Sequence, residues 1–424
     1  MLRQLKLLQP AKPKLGLYLR PGRNDHTVFQ QLLAEDRAVS GLVMDARHLE
    51  RHRHLREELA INGVHAVLDP NVMQMSTPGG SVLAGLDDLP WIPFSSAGPR
   101  ELRGIIGRQL ATAIAEVVEQ LGFSAVLAPT HLIEGGNDPM FAADRAVAGH
   151  LRRELDGRGL QETCIFYPLA LPASVLRDQV QRTVLMEGLA ATDVDAVWLR
   201  VHPFGTTSAG PIALRRYIEA AWELQRMGRP LVAERSGTVG LALMAFGAVG
   251  GIESGITMGE RFDAQALQRP RDPSTPPFSP APRVYLHEIG AFVSRASAIE
   301  LFRSRQMVAS LACRDPRCCR TGVEAMVRDP RRHFVLRRMA EVDRIGGTAP
   351  DARATVYLHN MLQPAALLAV RAARVLPELE AAQRRLDAWT LTLDSIQRSG
   401  RLPNPAPALG YRVGVARPMP QSLD

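Results

Sequence analysis

The chain has 424 residues, 46% of them apolar, with a formal net charge of +8 and four cysteines. Three of the cysteines are clustered, which excludes a distributed disulfide framework and fits a reducing compartment. No apolar run reaches the roughly 18 residues of a membrane span, so we expect no membrane partner. The basic start lacks the apolar core of a secretory signal, and the expected location is the cytoplasm.

The basic residues are almost all arginine, since lysine occurs only at Lys6, Lys12 and Lys14. The planar guanidinium matches phosphate geometry, so the charge is compatible with a nucleic-acid partner. A GC-rich source that replaces lysine by arginine throughout would give the same composition. Both explanations stay open at this point.

Apolar runs of strand length alternate with amphipathic helical stretches, which is typical of parallel βαβ units. Eight such runs predict an α/β fold, a (β/α)₈ TIM barrel. An open doubly wound sheet is the alternative, although no G-x-G-x-x-G motif follows the first run. The predicted strands are Leu15 to Leu19, Gly41 to Met44, His65 to Leu68, Ala125 to Ala128, Thr163 to Tyr167, Ala196 to Val201, Leu231 to Ala233 and Val249 to Ile252.

In such a barrel, catalytic groups project from the carboxyl ends of the strands. Carboxylates that face one cavity among arginines suit proton transfer and nucleophilic displacement. Each carboxylate has an alternative role as a cap of the following helix, which we favour for Asp45. The other strand-end residues are Arg20, Asp69 and Glu253, and the candidate substrate-binding residues Asn71, Thr130, Tyr167, Arg200, His202, Glu234 and Arg235.

A candidate metal site follows the barrel pattern. Cys313, Cys318 and Cys319 have the spacing C-x₄-C-C, and an apolar segment further on contains His359. Thiolates and a neutral imidazole suit Zn²⁺, which takes four such ligands in a tetrahedral site. The alternative is three ordinary cysteines beside a helix.

The order of these features resembles the tRNA-guanine transglycosylase family, including its relatives that insert 7-deazaguanine bases into DNA. That family has a (β/α)₈ barrel with a zinc site appended after the eighth strand. The segments that carry the resemblance are the three cysteines, Leu358-His359-Asn360, the helix His333 to Glu341 and, more weakly, Asp69 to Met75 and Gly247 to Gly255.

The resemblance implies a cofactor, a reaction and partners. Zinc would be held by the three cysteines and His359, with His333 as a competing fourth ligand. Asp69 lies where the family keeps the aspartate that transfers protons at the exchanged base, and Glu253 lies where it keeps its nucleophilic aspartate. The implied activity is exchange of a purine or 7-deazapurine base in tRNA or DNA through a covalent carboxylate intermediate. The family tends to form homodimers.

Several positions depart from the family pattern. Glu253 is longer than aspartate by one methylene, which moves its oxygens by about 1 Å, and a misplacement of that size can cost about 10²-fold in rate. Thr130 replaces an aspartate expected after the fourth strand, and Tyr167 stands where a glutamine-glycine pair is expected after the fifth. Arg200 to Pro203 replaces the glycine-rich loop after the sixth strand. Base recognition is therefore the part of the resemblance that transfers least.

We therefore expect a barrel over residues 1–262, a linker with a connecting strand and helix over 263–310, a zinc-binding helical subdomain over 311–395 and a disordered tail over 396–424. The functional hypothesis is base exchange of guanine or a 7-deazaguanine in nucleic acid. The second hypothesis is a catalytically silent relative that binds nucleic acid or a partner enzyme. A third is an unrelated barrel hydrolase whose cysteines are incidental.

Overall fold

The computed structural model describes residues 15–37, 39–76, 88–257, 260–268 and 281–400. Eight parallel strands close into a barrel in which each strand pairs with the next and the eighth pairs with the first. The barrel prediction is thus confirmed, and the open sheet is excluded. The strands are β1 Gly16–Arg20, β2 Gly41–Asp45, β3 His65–Asp69, β4 Ala125–Leu127, β5 Cys164–Pro172, β6 Ala196–His202, β7 Leu231–Glu234 and β8 Gly251–Gly255.

Helices connect the strands and pack their apolar faces against them. α5, for example, buries Leu110, Ile114 and Val118 at four-residue spacing and ends at Gly122, whose φ of 67° suits a residue without a Cβ. The helices of the barrel are α1 His26–Ala34, α2 Arg53–Ile61, α3 Val72–Met75, α4 Pro99–Leu102, α5 Ile105–Leu121, α6 Pro139–Gly157, α7 Gln179–Ala190, α8 Pro211–Leu224 and α9 Val239–Ala245.

The interior of the barrel is filled by aromatic rings. Trp198 lies with its ring centroid 5.0 Å from that of Tyr18 and 5.3 Å from that of Phe166. Cys164 is buried in the same cluster, as expected for a core residue. Because this layer fills the lumen, chemistry is confined to the open carboxyl end of the strands.

The last strand starts two residues later than its predicted position and continues to Gly255. Glu253 therefore lies within β8 and not after it, in register with Glu234 of β7. This pairing brings two carboxylates side by side at the same level of the barrel. Such an arrangement requires basic partners, since adjacent buried carboxylates repel each other.

The C-terminal part begins with α10 Ala264–Gln268 and an antiparallel hairpin, and continues with seven helices. No helix in the described ranges is both long and apolar enough to cross a membrane. The elements are β9 Val284–Leu286, β10 Ala291–Val293, α11 Arg295–Leu301, α12 Arg305–Leu311, α13 Val323–Arg328, α14 Pro330–Gly347, α15 Arg353–Tyr357, α16 Gln363–Val375 and α17 Glu380–Arg398.

The long last helix attaches this part to the barrel. The indole nitrogen of Trp389 in α17 donates a 2.7 Å hydrogen bond to the carbonyl of Ala209, just before α8. α17 extends to Arg398, so the predicted tail begins within a helix. Residues 401–424, the remainder of that predicted tail, lie outside the described residues.

Candidate functional site

Arg20, the last residue of β1, joins three carboxylates at the carboxyl end of the barrel. Its guanidinium lies 2.6 Å from Asp69 of β3, 3.0 Å from Glu234 of β7 and 3.0 Å from Glu253 of β8. Strands β1, β7 and β8 are neighbours in the closed barrel, which explains how residues so distant in sequence meet. We call Arg20, Asp69, Arg200, Glu234 and Glu253 the carboxylate cluster.

Arg200 of β6 supplies the second guanidinium of the carboxylate cluster. Its Nε lies 2.5 Å from one oxygen of Glu234, and its Nη2 lies 3.4 Å from Asp69. Burial would lower the pKa of Arg200, but the charges of Glu234 and Asp69 raise it. Arg200 therefore stays charged and offsets part of the negative charge.

Glu253 is fully buried, with no exposed surface. One carboxylate oxygen accepts from Arg20, and the other accepts a 3.1 Å hydrogen bond from the backbone N–H of Arg235. Arg235 has a φ of 51°, in the left-handed region that residues with a Cβ rarely adopt. The same N–H lies 3.0 Å from the backbone carbonyl of Glu253, so Arg235 continues the pairing of β7 with β8 and also contacts the Glu253 side chain.

Asp69 is held as a carboxylate by its neighbours. Burial tends to raise its pKa, but the guanidiniums of Arg20 and Arg200 and the N–H of Asn71 hold the pKa well below its usual range. The N–H of Asn71 donates a 2.9 Å hydrogen bond to the second oxygen of Asp69. In the described conformation, Asp69 can therefore accept a proton but does not carry one at neutral pH.

Asp45 serves as a helix cap, as favoured from the sequence. It accepts a hydrogen bond from the N–H of Arg47, forms an ion pair with the Arg47 side chain and accepts a 2.7 Å hydrogen bond from the Asn71 side-chain amide. Asn71 thus connects Asp45 to Asp69. The contacts of Asn71 hold these two carboxylates in position. Its role in substrate binding stays a prediction.

Three predicted substrate-binding residues contact groups outside the carboxylate cluster. Thr130 donates to the carbonyl of Pro168, and Tyr167 is buried, which raises the pKa of its phenol. His202 accepts a hydrogen bond from the N–H of Ala264. Their roles in substrate binding stay predictions.

A buried histidine–aspartate pair after β4 was not among the predicted site residues. His131 Nδ1 lies 2.7 Å from Asp144 of α6, and the backbone N–H of His131 donates to the other Asp144 oxygen. Burial tends to lower the pKa of His131, but the charge of Asp144 and the hydrogen bonds of the ring together raise it. The sequence shows a histidine at a strand end. Its partner Asp144 lies 13 residues further on in a helix, and no recognisable motif has that spacing.

The cysteine cluster forms the second site, and its fourth member is His333. The ligand atoms of Cys313, Cys318, Cys319 and His333 all lie within 4.8 Å of one another, and all four residues are buried. The two adjacent sulfurs are 3.7 Å apart, and His333 Nδ1 lies 3.4 Å and 3.2 Å from them. A tetrahedral zinc with thiolate and imidazole ligands requires about 3.8 Å between sulfurs and about 3.6 Å between sulfur and nitrogen.

The surroundings also fit a metal. His333 Nε2 lies 2.9 Å from the carbonyl of Tyr285, an outer hydrogen bond that directs Nδ1 towards the sulfurs. The turn before His333 presents the thiols, since the N–H groups of Cys318 and Cys319 both donate to the carbonyl of Asp315. The residues present are therefore compatible with Zn²⁺ bound by three thiolates and one imidazole.

The prediction of His359 as the fourth ligand is wrong. His359 is exposed, and its Nδ1 bonds to the side chain of Gln363 at 3.0 Å. It lies in a short π-helical turn, Leu358–Leu362, and is not among the four residues whose ligand atoms cluster. The alternative ligand, His333, lies in the first turns of α14 and takes its place.

No model of a known protein family matches this chain, and no curated protein is significantly similar to it in sequence. The two candidate sites are therefore inferred from the sequence and structure of this chain alone.

Proposed function

We propose that this barrel exchanges a guanine or 7-deazaguanine base in tRNA or DNA by a transglycosylase-type reaction. One observation carries the proposal: Asp69 and Glu253, from the third and eighth strands, meet at a single guanidinium at the carboxyl end of the barrel. A displacement at a sugar carbon needs one carboxylate as nucleophile and one for proton transfer. The position of the pair agrees with where barrel enzymes place their chemistry.

The free-energy cost of burying the charges of the carboxylate cluster supports a functional role. Glu234 and Glu253 are at most 2% exposed, and Asp69 and Arg200 are at most 8% exposed. Buried ion pairs are often no more stabilising than apolar side chains of similar volume, because each ion loses its hydration. Their concentration at the catalytic end of a barrel therefore favours function over stability.

In the proposed reaction, a Glu253 oxygen attacks the anomeric carbon of the nucleoside and the bond to the base breaks. The bonding electron pair leaves with the base, which takes up one proton from solvent, because the ionised Asp69 has none to give. The incoming base then attacks the same carbon, gives one proton to Asp69 and releases Glu253 as a carboxylate. Asp69 is ionised and can take that proton, and withdrawal of Arg20 would raise its pKa from the low value that this guanidinium imposes towards the range of a more effective base.

Arg20 has to withdraw before this reaction starts, because it occupies one oxygen of Glu253. Its side chain is 11% exposed, which is the largest exposed fraction among the ion-pair members of the carboxylate cluster. Movement of Arg20 would free one oxygen each on Glu234 and Glu253, while the Asp69 oxygen that it leaves stays 3.4 Å from Arg200. We propose that an entering nucleotide phosphate attracts Arg20 outwards, since guanidinium pairs well with phosphate.

Zn²⁺ would be held by Cys313, Cys318, Cys319 and His333. With four protein ligands it would have no open position, and it would supply a structural cross-link between the cysteine turn and α14. This part of the proposal is independent of the exchange reaction.

Glu253→Gln is expected to reduce exchange by at least about 10³-fold, because the amide cannot act as a carboxylate nucleophile. Incorporation of radiolabelled guanine into unfractionated tRNA and into genomic DNA measures the activity. Glu57→Gln serves as the matched control, since Glu57 is an exposed carboxylate paired only with surface residues. Exchange by Glu253→Gln at the wild-type rate would remove Glu253 as the nucleophile.

A second candidate function is a catalytically silent barrel that binds nucleic acid. It is favoured by the saturation of the carboxylate cluster, since both oxygens of Asp69, Glu234 and Glu253 already accept hydrogen bonds. Such a protein would bind tRNA or DNA with a steep salt dependence and incorporate no labelled guanine. Incorporation by the wild type would exclude it.

A further inference from the structure

Three histidines converge beside the first two strands, away from the cysteine cluster. His48 and His52 follow β2, and the backbone N–H of His52 donates a 2.9 Å hydrogen bond to the carbonyl of His48. That bond places the two residues one helical turn apart on the same face. His26 is the first residue of α1, which follows β1. We call these three residues the histidine cluster.

Two of the three ring pairs have spacings close to those in a metal site. The centroid of the His52 ring lies 5.7 Å from that of His26 and 5.8 Å from that of His48. An imidazole bound through nitrogen has its centroid about 3.2 Å from the metal, so two tetrahedral ligands have centroids about 5 Å apart. Only the cysteine cluster, among the described residues, already has its ligand atoms within 4.8 Å of one another. The His26 and His48 side chains would therefore have to rotate towards His52 to share one ion with it.

The buried ring nitrogens lack hydrogen-bond partners. His52 is 1% exposed, and neither of its ring nitrogens has a partner, while Nδ1 of His26 is likewise buried without one. A buried polar group without a partner costs about 1–3 kcal/mol, so three such nitrogens are costly unless something binds them. Burial and the neighbouring His48 and His26 lower the pKa of His52 to about 4, so its ring is neutral at pH 7, the form that ligates metals.

The nearby arginines are engaged with other groups. Arg47 is paired with Asp45 at 2.5 Å, and Arg51 donates to the carbonyl of Arg23 and to the side chain of Asn24. Asp45 offsets the charge of Arg47, which reduces the repulsion of a cation between the histidine rings, while neutral oxygens hold the side chain of Arg51.

We propose that His26, His48 and His52 bind a divalent first-row transition-metal ion of the kind that imidazole prefers, such as Zn²⁺ or Ni²⁺. The site is separate from the cysteine cluster and does not depend on the exchange reaction. A bound ion would connect the start of α1 to the turn before α2, at the same end of the barrel as the carboxylate cluster. Water would complete its coordination.

The test is the number of Zn²⁺ ions held per chain after equilibrium dialysis of the full-length protein against buffered Zn²⁺. The wild type is expected to hold one ion more than His52→Ala, whatever the cysteine cluster holds. His54→Ala is the matched control, because the His54 side chain is 83% exposed and pairs only with Glu57. It is expected to keep the wild-type number.

His26→Gln provides a second variant in case His52→Ala does not fold, since His26 is only half-buried. It is also expected to lose one ion per chain. Equal zinc content in the wild type and either folded variant would overturn the proposal. If the cysteine cluster binds no zinc, the zinc content of the wild type and of all three variants would be lower by one ion. The difference in zinc content between the wild type and His52→Ala would stay the same.

Discussion

Replacing Arg20 with methionine is expected to destabilise the protein by about 3–5 kcal/mol, because it leaves buried carboxylates without their common counter-charge. Glu253 would lose its ion pair with Arg20, whereas Asp69 and Glu234 would still share Arg200. Methionine keeps most of the side-chain volume, so the loss measures charge more than packing. Urea denaturation followed by tryptophan fluorescence gives the free energy of unfolding at pH 7.

Arg53→Met is the matched control for this measurement. Arg53 pairs with Glu57 at 3.5 Å, but both side chains are more than half exposed. A surface pair of this kind contributes about 0–1 kcal/mol. An Arg20→Met variant as stable as Arg53→Met would show that the carboxylate cluster is not held together by Arg20.

The effect of Arg20→Met is expected to depend on pH in a definite direction. The pKa of Asp69 is lower in the folded protein than in the unfolded chain, so its stabilising contribution is present above about pH 4 and is lost as the pH falls. Protonating the carboxylates also removes the charge that Arg20 balances. The difference between wild type and variant is therefore expected to shrink below about pH 4.

His333→Ala is expected to lose the zinc of the cysteine cluster, whereas His359→Ala keeps it. Zinc binding contributes directly to folding at structural sites, so a measurable decrease in the melting temperature should accompany the loss. Metal analysis of both variants, with Cys164→Ala as a cysteine control from the barrel core, measures this. Zinc loss in His359→Ala but not in His333→Ala would contradict the ligand assignment.

The barrel could be predicted from sequence because its signal is local. Most strands are short apolar runs, and several, such as β1 and β3, end in a polar residue, while helices such as α5 have a clear apolar face. Because barrel enzymes place catalytic groups at the carboxyl ends of their strands, the predicted strands then indicated Asp69, Glu234 and Glu253 together. The exact position of β8 was shifted by two residues, since the apolar run Val249 to Ile252 begins in the preceding turn.

The partners within each site could not be predicted in the same way. Arg20 reaches Glu253 across 233 residues only because β8 closes on β1. No spacing in the sequence indicates that contact. His333 was ranked below His359 because the flanking residues of His359 matched the family pattern, whereas the fold places His333 beside the thiols and leaves His359 exposed. Asp144 was missed because it approaches His131 from a different element.

The most direct test of the proposed function is to trap and map the covalent intermediate. Wild-type protein is mixed with unfractionated tRNA or with genomic DNA, denatured during turnover and digested, and the peptides are analysed by mass spectrometry. The account predicts a nucleic-acid adduct on the peptide that contains Glu253, and no adduct in Glu253→Gln. An adduct on another carboxylate, or labelled-guanine exchange that continues in Glu253→Gln, would contradict it.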